Sequence, residues 1–270
     1  MSLALAASAA GHQIVGVVGR TLGGAEVAAA SVAAVPYGID AEFPAGDLMV
    51  IATRDDAIGV VAASIAGRVP PGEGSGAIHM SGLVPSSALA PLADAGYITG
   101  TFHPLQTLPN PEAGAARLAG AWVGITAAEL RPRLVELAES IGMRPFDIDD
   151  AAKALYHAAA AAAANFPLAD LAMSSDLFKQ AGVPFEAARP LVEAIVANAF
   201  ELGPRAALTG PVARGDIDTV AAQMAAIAAA EPGWLSDYGA GVQRLARLVG
   251  NGPLFEDMLQ AWKRPREAGQ

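Results

Sequence analysis

The chain has 270 residues, 53% of them hydrophobic, a formal net charge of −10 and no cysteine. That length suits two domains of ordinary size, and the missing cysteines exclude disulfides, thiolate metal sites and a cysteine nucleophile. An acidic balance without a basic stripe argues against nucleic acid, and no apolar run reaches the ~20 residues that span a bilayer, so a soluble cytoplasmic protein with no nucleic-acid or membrane partner is expected.

In chain order, residues 1–10 read as a helix. Ala7-Ser8-Ala9 imitates a signal cleavage site, but the segment lacks a positive n-region and runs straight into a strand pattern. Gly11–Thr21 reads as the second strand of a dinucleotide-binding fold. In such a fold the helix follows a strand and a Gly-x-Gly-x-x-Gly turn that cradles the pyrophosphate. Here the helix opens the sequence, which fits a start codon assigned too late or a real truncation. Apolar runs at Ile14–Val18, Asp47–Ala52, Ala77–Met80, Tyr97–Phe102 and Ala121–Ile125, with Arg144–Ile148 as a last one, read as strands. Between them lie helix-length segments such as Asp55–Gly67, Pro85–Gly96 and Ala127–Gly142. Continuous apolar strands alternating with helices predict a parallel sheet covered on both faces. Residues 1–147 are therefore expected to form a doubly wound α/β domain that lacks its first strand and Gly-rich loop.

From 148 to 270 only helical patterns follow. Asp149-Asp150 fits a helix N-terminus, and Ala151–Gly182 runs on in strong helix formers with seven successive alanines, Ala158–Ala164. Pro184–Leu202, Ile217–Glu231, Leu235–Gly250 and Leu254–Trp262 supply further helices, and the tail Arg264–Gln270 is expected to fray. Small residues along a helix permit close approach, so the alanines point to tight packing across a homodimer, together with Leu208–Val212. A low-complexity tract is the competing reading.

Four places carry candidate chemistry. At the end of the second-strand pattern, Gly19, Arg20 and Thr21 stand where an acidic residue would select NAD. A guanidinium there binds a 2′-phosphate instead, which favours NADP over NAD; an arginine that merely ends a strand is the competing reading. Ala52 and Thr53 end the next strand and are expected to wall the cofactor, with Asp55 or Asp56 as helix caps. His79-Met-Ser81-Gly82 and His103-Pro-Leu-Gln106 end successive strands and are expected to face one crevice, His79, Ser81 and Gly82 toward the cofactor and His103 toward catalysis. His12 is assigned no role. No His-x-x-x-His or carboxylate spacing supports a metal. Lys153 and His157 lie one turn apart on a helix, with Asn165 two turns beyond. A lysine can polarise a carbonyl or donate a proton while an imidazole or amide orients the substrate. A solvent-facing lysine beside a core-edge histidine is the alternative.

His79-Met-Ser-Gly82, His103-Pro-Leu-Gln106, the Tyr156-His-Ala-Ala…Asn165 helix and Ala207-Leu-Thr-Gly-Pro-Val-Ala-Arg-Gly-Asp216 together resemble an uncharacterised bacterial family. It pairs a Rossmann-like domain with a helical domain of unknown function. More distantly, the pattern is similar to pyrroline-5-carboxylate reductase and to the 6-phosphogluconate and 3-hydroxyacid dehydrogenases. The resemblance implies NAD(P) binding in the first domain, a 6-phosphogluconate-dehydrogenase-like helical dimerisation domain, and hydride transfer in the cleft between. Lys153 matches the lysine that hydroxyacid dehydrogenases carry near the start of their long interdomain helix, while His157 stands where they have an asparagine. The expected function is an NADP-dependent oxidoreductase acting on a small carbonyl, imine or hydroxyacid, with Lys153, His157, Asn165 and His103 as the catalytic set. The rivals are a non-catalytic nucleotide-binding or scaffolding dimer, and a metabolic binding protein that uses no nicotinamide.

Overall fold

A computed structural model describes residues 1–44 and 46–263, so the expectation for the tail at 264–270 lies outside the described residues. The chain divides into two compact units, Met1–Ala164 and Asn165–Gln270. No helix among the described residues is long and apolar enough to cross a membrane.

The first unit opens with α1 (Ser2–Ala9), β1 (Gly16–Gly19), α2 (Leu22–Ala30) and β2 (Val35–Gly38). β1 and β2 pair in parallel and form a sheet of their own. Thr21 caps α2 by accepting from the Gly24 N–H at 3.3 Å. A second sheet follows, built from β3 (Leu48–Ile51), α3 (Ile58–Ala66), β4 (Gly76–His79), α4 (Ala90–Asp94), β5 (Ile98–Leu105), α5 (Pro111–Leu118), β6 (Trp122–Ala127), α6 (Arg131–Ser140) and β7 (Arg144–Asp147). Its order is β3-β4-β5-β6-β7. Every neighbouring pair is parallel except β5 and β6, which run antiparallel.

Both faces of the five-stranded sheet are covered, as unbroken apolar strands require. Ile78, Phe102, Val123 and Ile125 pack with Leu3 of α1, Leu118 of α5 and Leu134 of α6. Ile51 and Ala77 pack on the other side with Ile58 and Ala62 of α3 and Leu92 of α4. Asn110 caps α5 through its side-chain oxygen, which accepts from the Ala113 N–H at 2.8 Å, and Pro111 begins the helix where a missing N–H costs nothing.

The long helical run expected after residue 151 is two helices, α7 (Lys153–Ala164) and α8 (Phe166–Gln180). Pro167 sits in the first turn of α8, where its ring disfavours continuation of the preceding turn, and α7 ends at Ala164, three residues before it. α7 belongs to the first of the two compact units, which ends at Ala164. The second unit continues with α9 (Arg189–Leu202), α10 (Pro204–Ala207), α11 (Pro211–Arg214), α12 (Ile217–Ala230), α13 (Leu235–Val249) and α14 (Gly252–Lys263). Val212, Val220, Met224, Val242, Ala246, Phe255 and Leu259 make its core. α8 is tied to this core by polar contacts, Trp234 Nε1 donating to Asp176 at 2.8 Å and Gln180 donating to Glu231 at 2.5 Å.

Candidate active site

β5 is longer than β4. The two pair only from Ile98 to Thr101, and beyond that point β5 keeps β6 alone, with His103 opposite Gly124. Alternation along a strand puts Thr101 and His103 on one face. On α7, Lys153 and Tyr156 are three residues apart and share one helical face. The two pairs meet: Lys153 Nζ donates to Thr101 Oγ1 at 3.0 Å, and the Tyr156 hydroxyl lies 2.7 Å from His103 Nδ1.

Lys153 is 2% exposed. Besides Thr101 it donates to the Val84 carbonyl at 3.0 Å and forms an ion pair with Asp150 at 3.1 Å. An ammonium has three protons, so all of them are engaged. Burial pulls the lysine pKa down, and the Asp150 carboxylate pulls against it. Burial alone would raise the Asp150 carboxyl. Two bonds from Ser86, N–H at 3.0 Å and hydroxyl at 2.6 Å, together with Lys153, outweigh burial and hold the carboxyl below its ordinary range.

The loop after β4 is equally well bonded. His79 is 0% exposed; its Nδ1 accepts from the Ser81 N–H at 3.2 Å, which leaves the proton on Nε2 to donate to the Pro85 carbonyl at 3.2 Å. Burial lowers the His79 pKa and the Pro85 bond opposes that, so the ring is a neutral brace. The Ser81 hydroxyl oxygen accepts from Leu83 N–H at 3.1 Å and Val84 N–H at 3.0 Å. Gly82 lies directly beneath His103: a Cβ there would stand 2.6 Å from Cε1 of the imidazole.

His103 is half-buried and its pKa is lowered to about 4, by burial first and then by the charges of His157 and Lys153, with Asp55 opposing them. At neutral pH the ring is uncharged. Burial raises the Tyr156 hydroxyl to about 12. The His157 ring lies 6.1 Å from the His103 ring. A cavity of about 530 Å³ opens beyond the carboxyl ends of β3, β4 and β5, and Ala52, Thr53, Asp55, Ser81, His103 and Gln106 line it. Among the described residues no group of three or more His, Cys, Asp or Glu is arranged to hold a metal.

The structure thus brings Ala52, Thr53, Ser81 and His103 onto one wall, with Lys153 and His157 close behind. The expectation that His79 faces the same crevice is corrected: the ring points into the protein, where it holds the loop. Gly82 seats the imidazole of His103, and no cofactor contact is needed to explain a glycine there. Gly19 ends β1, Arg20 and Thr21 lead from it into α2, and none of the three is part of the cavity wall. Arg20 is exposed and has no hydrogen bond or ion pair among the described residues. Asn165 is the first residue of the second unit and precedes α8 with no side-chain capping bond. Tyr156 is the residue that the sequence reading missed. The signals available in the sequence are its place in the Tyr156-His-Ala-Ala…Asn165 motif and its three-residue spacing from Lys153, which puts both on one helical face.

Residues 121–243 match a family model described as a domain of unknown function, DUF2520. No curated protein matches the chain. Among solved structures, a Bacteroides fragilis protein provisionally named an NADP oxidoreductase is similar at a TM-score of 0.75 and 23% identity, with 91% of this chain and 93% of that one covered. A reductive aminase from Aspergillus terreus in complex with NADPH and ethyl levulinate is similar at 0.61 and 19%, covering 97% and 95%. A pyrroline-5-carboxylate reductase from Coxiella burnetii is similar at 0.55 and 14%, covering 92% and 93%. These matches bear out the resemblance to an uncharacterised family, and the fold is a Rossmann-like α/β domain followed by a helical domain.

Proposed function

We propose that this protein is an NADP-dependent oxidoreductase of the cytoplasm that transfers a hydride to or from a small carbonyl, imine or hydroxyacid. The observation that carries the reading is the neutral imidazole of His103 on the wall of the cavity beyond the carboxyl ends of β3, β4 and β5, the region where open α/β sheets bind their ligands. The residues present fit the redox end of such a cofactor. Ala52 and Thr53 offer a wall for a flat ring, and the Ser81 hydroxyl, whose oxygen accepts from two loop amides, keeps its own proton for a ligand. Arg20, just after β1, offers a guanidinium with no partner among the described residues to a 2′-phosphate, beside the hydroxyl of Thr21.

A bound nicotinamide supplies the hydride. The chain's own part is to hold the reacting atom and to set the charge around it. His103 is placed to hold the substrate oxygen or nitrogen. Behind it Lys153, fixed by three acceptors, contributes a positive potential toward developing negative charge, and its role is electrostatic rather than proton transfer. His157 and Asn165 remain the proposed orienting groups.

The second unit supports a homodimer. α9 exposes Leu191 at 68% and Phe200 at 90%, and α8 exposes Leu168 at 63%, an apolar surface of the kind that marks association sites. Ala158–Ala164 are likewise exposed or half-buried.

The test is titration of the full chain with NADPH and NADH. NADPH is expected to bind about tenfold more tightly, and Arg20→Ala is expected to abolish the preference with the circular dichroism spectrum unchanged; a tenfold ratio corresponds to about 1.4 kcal/mol. Tighter binding of NADH would overturn the Arg20 assignment. Binding of neither nucleotide would overturn the oxidoreductase reading.

A further inference from the structure

Tyr156 meets His103 in a way that restricts what the imidazole can do. The 2.7 Å separation between the phenol oxygen and Nδ1 is shorter than the ~2.9–3.0 Å usual when a nitrogen donates to oxygen and falls where hydroxyl donors sit. A phenol is also a stronger hydrogen-bond donor than a neutral imidazole N–H, and burial keeps this one protonated and so able to donate. The rings are locked edge to face, 5.4 Å apart at 88°, and Phe146 packs against the other side of Tyr156 at 5.8 Å. The imidazole rests on Gly82 with no space for a Cβ beneath it. Nε2 is the remaining polar atom of the ring and has no partner among the described residues, while His103 lines the cavity.

We propose that Tyr156 is a positioning residue whose hydroxyl donates to Nδ1 of His103 and fixes the proton on Nε2, so that the reacting group this ring serves is a hydrogen-bond acceptor such as a carbonyl oxygen, and not an iminium N–H. The charged neighbours point the same way. Lys153 and His157 disfavour a cation at the ring, against the single opposing charge of Asp55. The phenol and imidazole together aim one neutral donor at an atom that gains negative charge when hydride arrives, and the proton that completes the product comes from water. The substrate assignment rests on the oxidoreductase reading; the assignment of the tautomer does not.

The experiment is a long-range ¹H–¹⁵N correlation spectrum of the full chain at pH 7, with His103→Gln identifying the ring's signals. The expected result is a neutral imidazole protonated on Nε2, and Tyr156→Phe is expected to shift it to a mixture of tautomers. A wild-type ring protonated on Nδ1, or on both nitrogens, overturns the proposal, as does an unchanged tautomer in the Phe variant. Should that variant fail to fold, the wild-type spectrum still decides. A chain that turns over no substrate with NADPH refutes the oxidoreductase reading and leaves the spectra to decide the role of Tyr156. Where turnover is found, Tyr156→Phe is expected to lower kcat on a ketone on the order of 10²-fold with NADPH affinity unchanged. A preference for a preformed iminium over the matching ketone overturns the substrate assignment.

Discussion

The loop from His79 to Ser86 and the pair of helices α8 and α9 are built on opposite plans. In the loop region nearly every polar group has found a protein partner: His79 bonds through both nitrogens, Ser81 accepts twice, and Lys153 uses all three protons. In α8 and α9 no described residue is buried, and Leu168, Leu191 and Phe200 face outward. The first region is held by its own hydrogen bonds and forms part of the cavity wall. The second presents apolar surface that the described residues leave exposed. One chain therefore separates a site that tolerates little change from a surface that tolerates much.

Four measurements would break or sharpen this contrast. The largest effect is expected from Lys153→Met, which strands the Asp150 carboxylate and the acceptors at Val84 and Thr101; losing one partner of a buried pair costs about 3 kcal/mol. Urea denaturation showing less than about 1 kcal/mol of change would mean that the cluster is not the brace described here. Gly82→Ala is expected to cost about 1–3 kcal/mol by overpacking against the imidazole and to displace His103, read from its ring signals. A spectrum identical to wild type would show that the ring has room to move.

A pH series probes the same ring more gently. His103 is held at about 4 against an ordinary value of 6.5, so between those values the unfolded chain takes up a proton that the folded chain refuses. Its contribution to stability is therefore complete above pH 6.5 and declines as pH falls toward 4. His103→Gln should flatten the stability slope across that window, and an unaltered slope would place the titration elsewhere. The smallest change in chain stability, within about 0.5 kcal/mol, is expected from Phe200→Asp on the exposed face of α9. The same substitution should shift sedimentation from dimer to monomer. Wild-type chain that already sediments as a monomer at micromolar concentration would refute the homodimer.

Much of the α/β scaffold is legible in the sequence, because β3, β4, β5 and β6 are short apolar runs bounded by helix signals. β2 is not, since Val35-Pro-Tyr-Gly38 reads as a turn, and its proline is tolerated only because the strand lies at the edge of a two-stranded sheet. The reversal of β6 is equally hidden, because a helix such as α5 can return the chain in either direction. At the site, the strand ends are predictable but the direction of each side chain is not. β4 is buried on both faces, so no hydrophobic alternation reveals that His79 points inward while His103, on a longer strand, emerges at the cavity. Tyr156 escapes notice for a different reason: its partner lies 53 residues away in sequence and is brought near only by the crossing of α7 over β5.

The overhang of β5 beyond β4 has a consequence for how this molecule can vary. Because side chains alternate with a period of two, His103 meets Tyr156 only while an even number of steps separates it from Thr101, which Lys153 anchors. One residue inserted between Thr101 and His103 would turn the imidazole to the opposite face with every atom of the site still encoded. Insertions in the connection from Gln106 to Asn110 leave the parity untouched. The site is thus vulnerable to a frame of two that no list of its residues would reveal, and natural length variation should be confined to the stretch after Leu105.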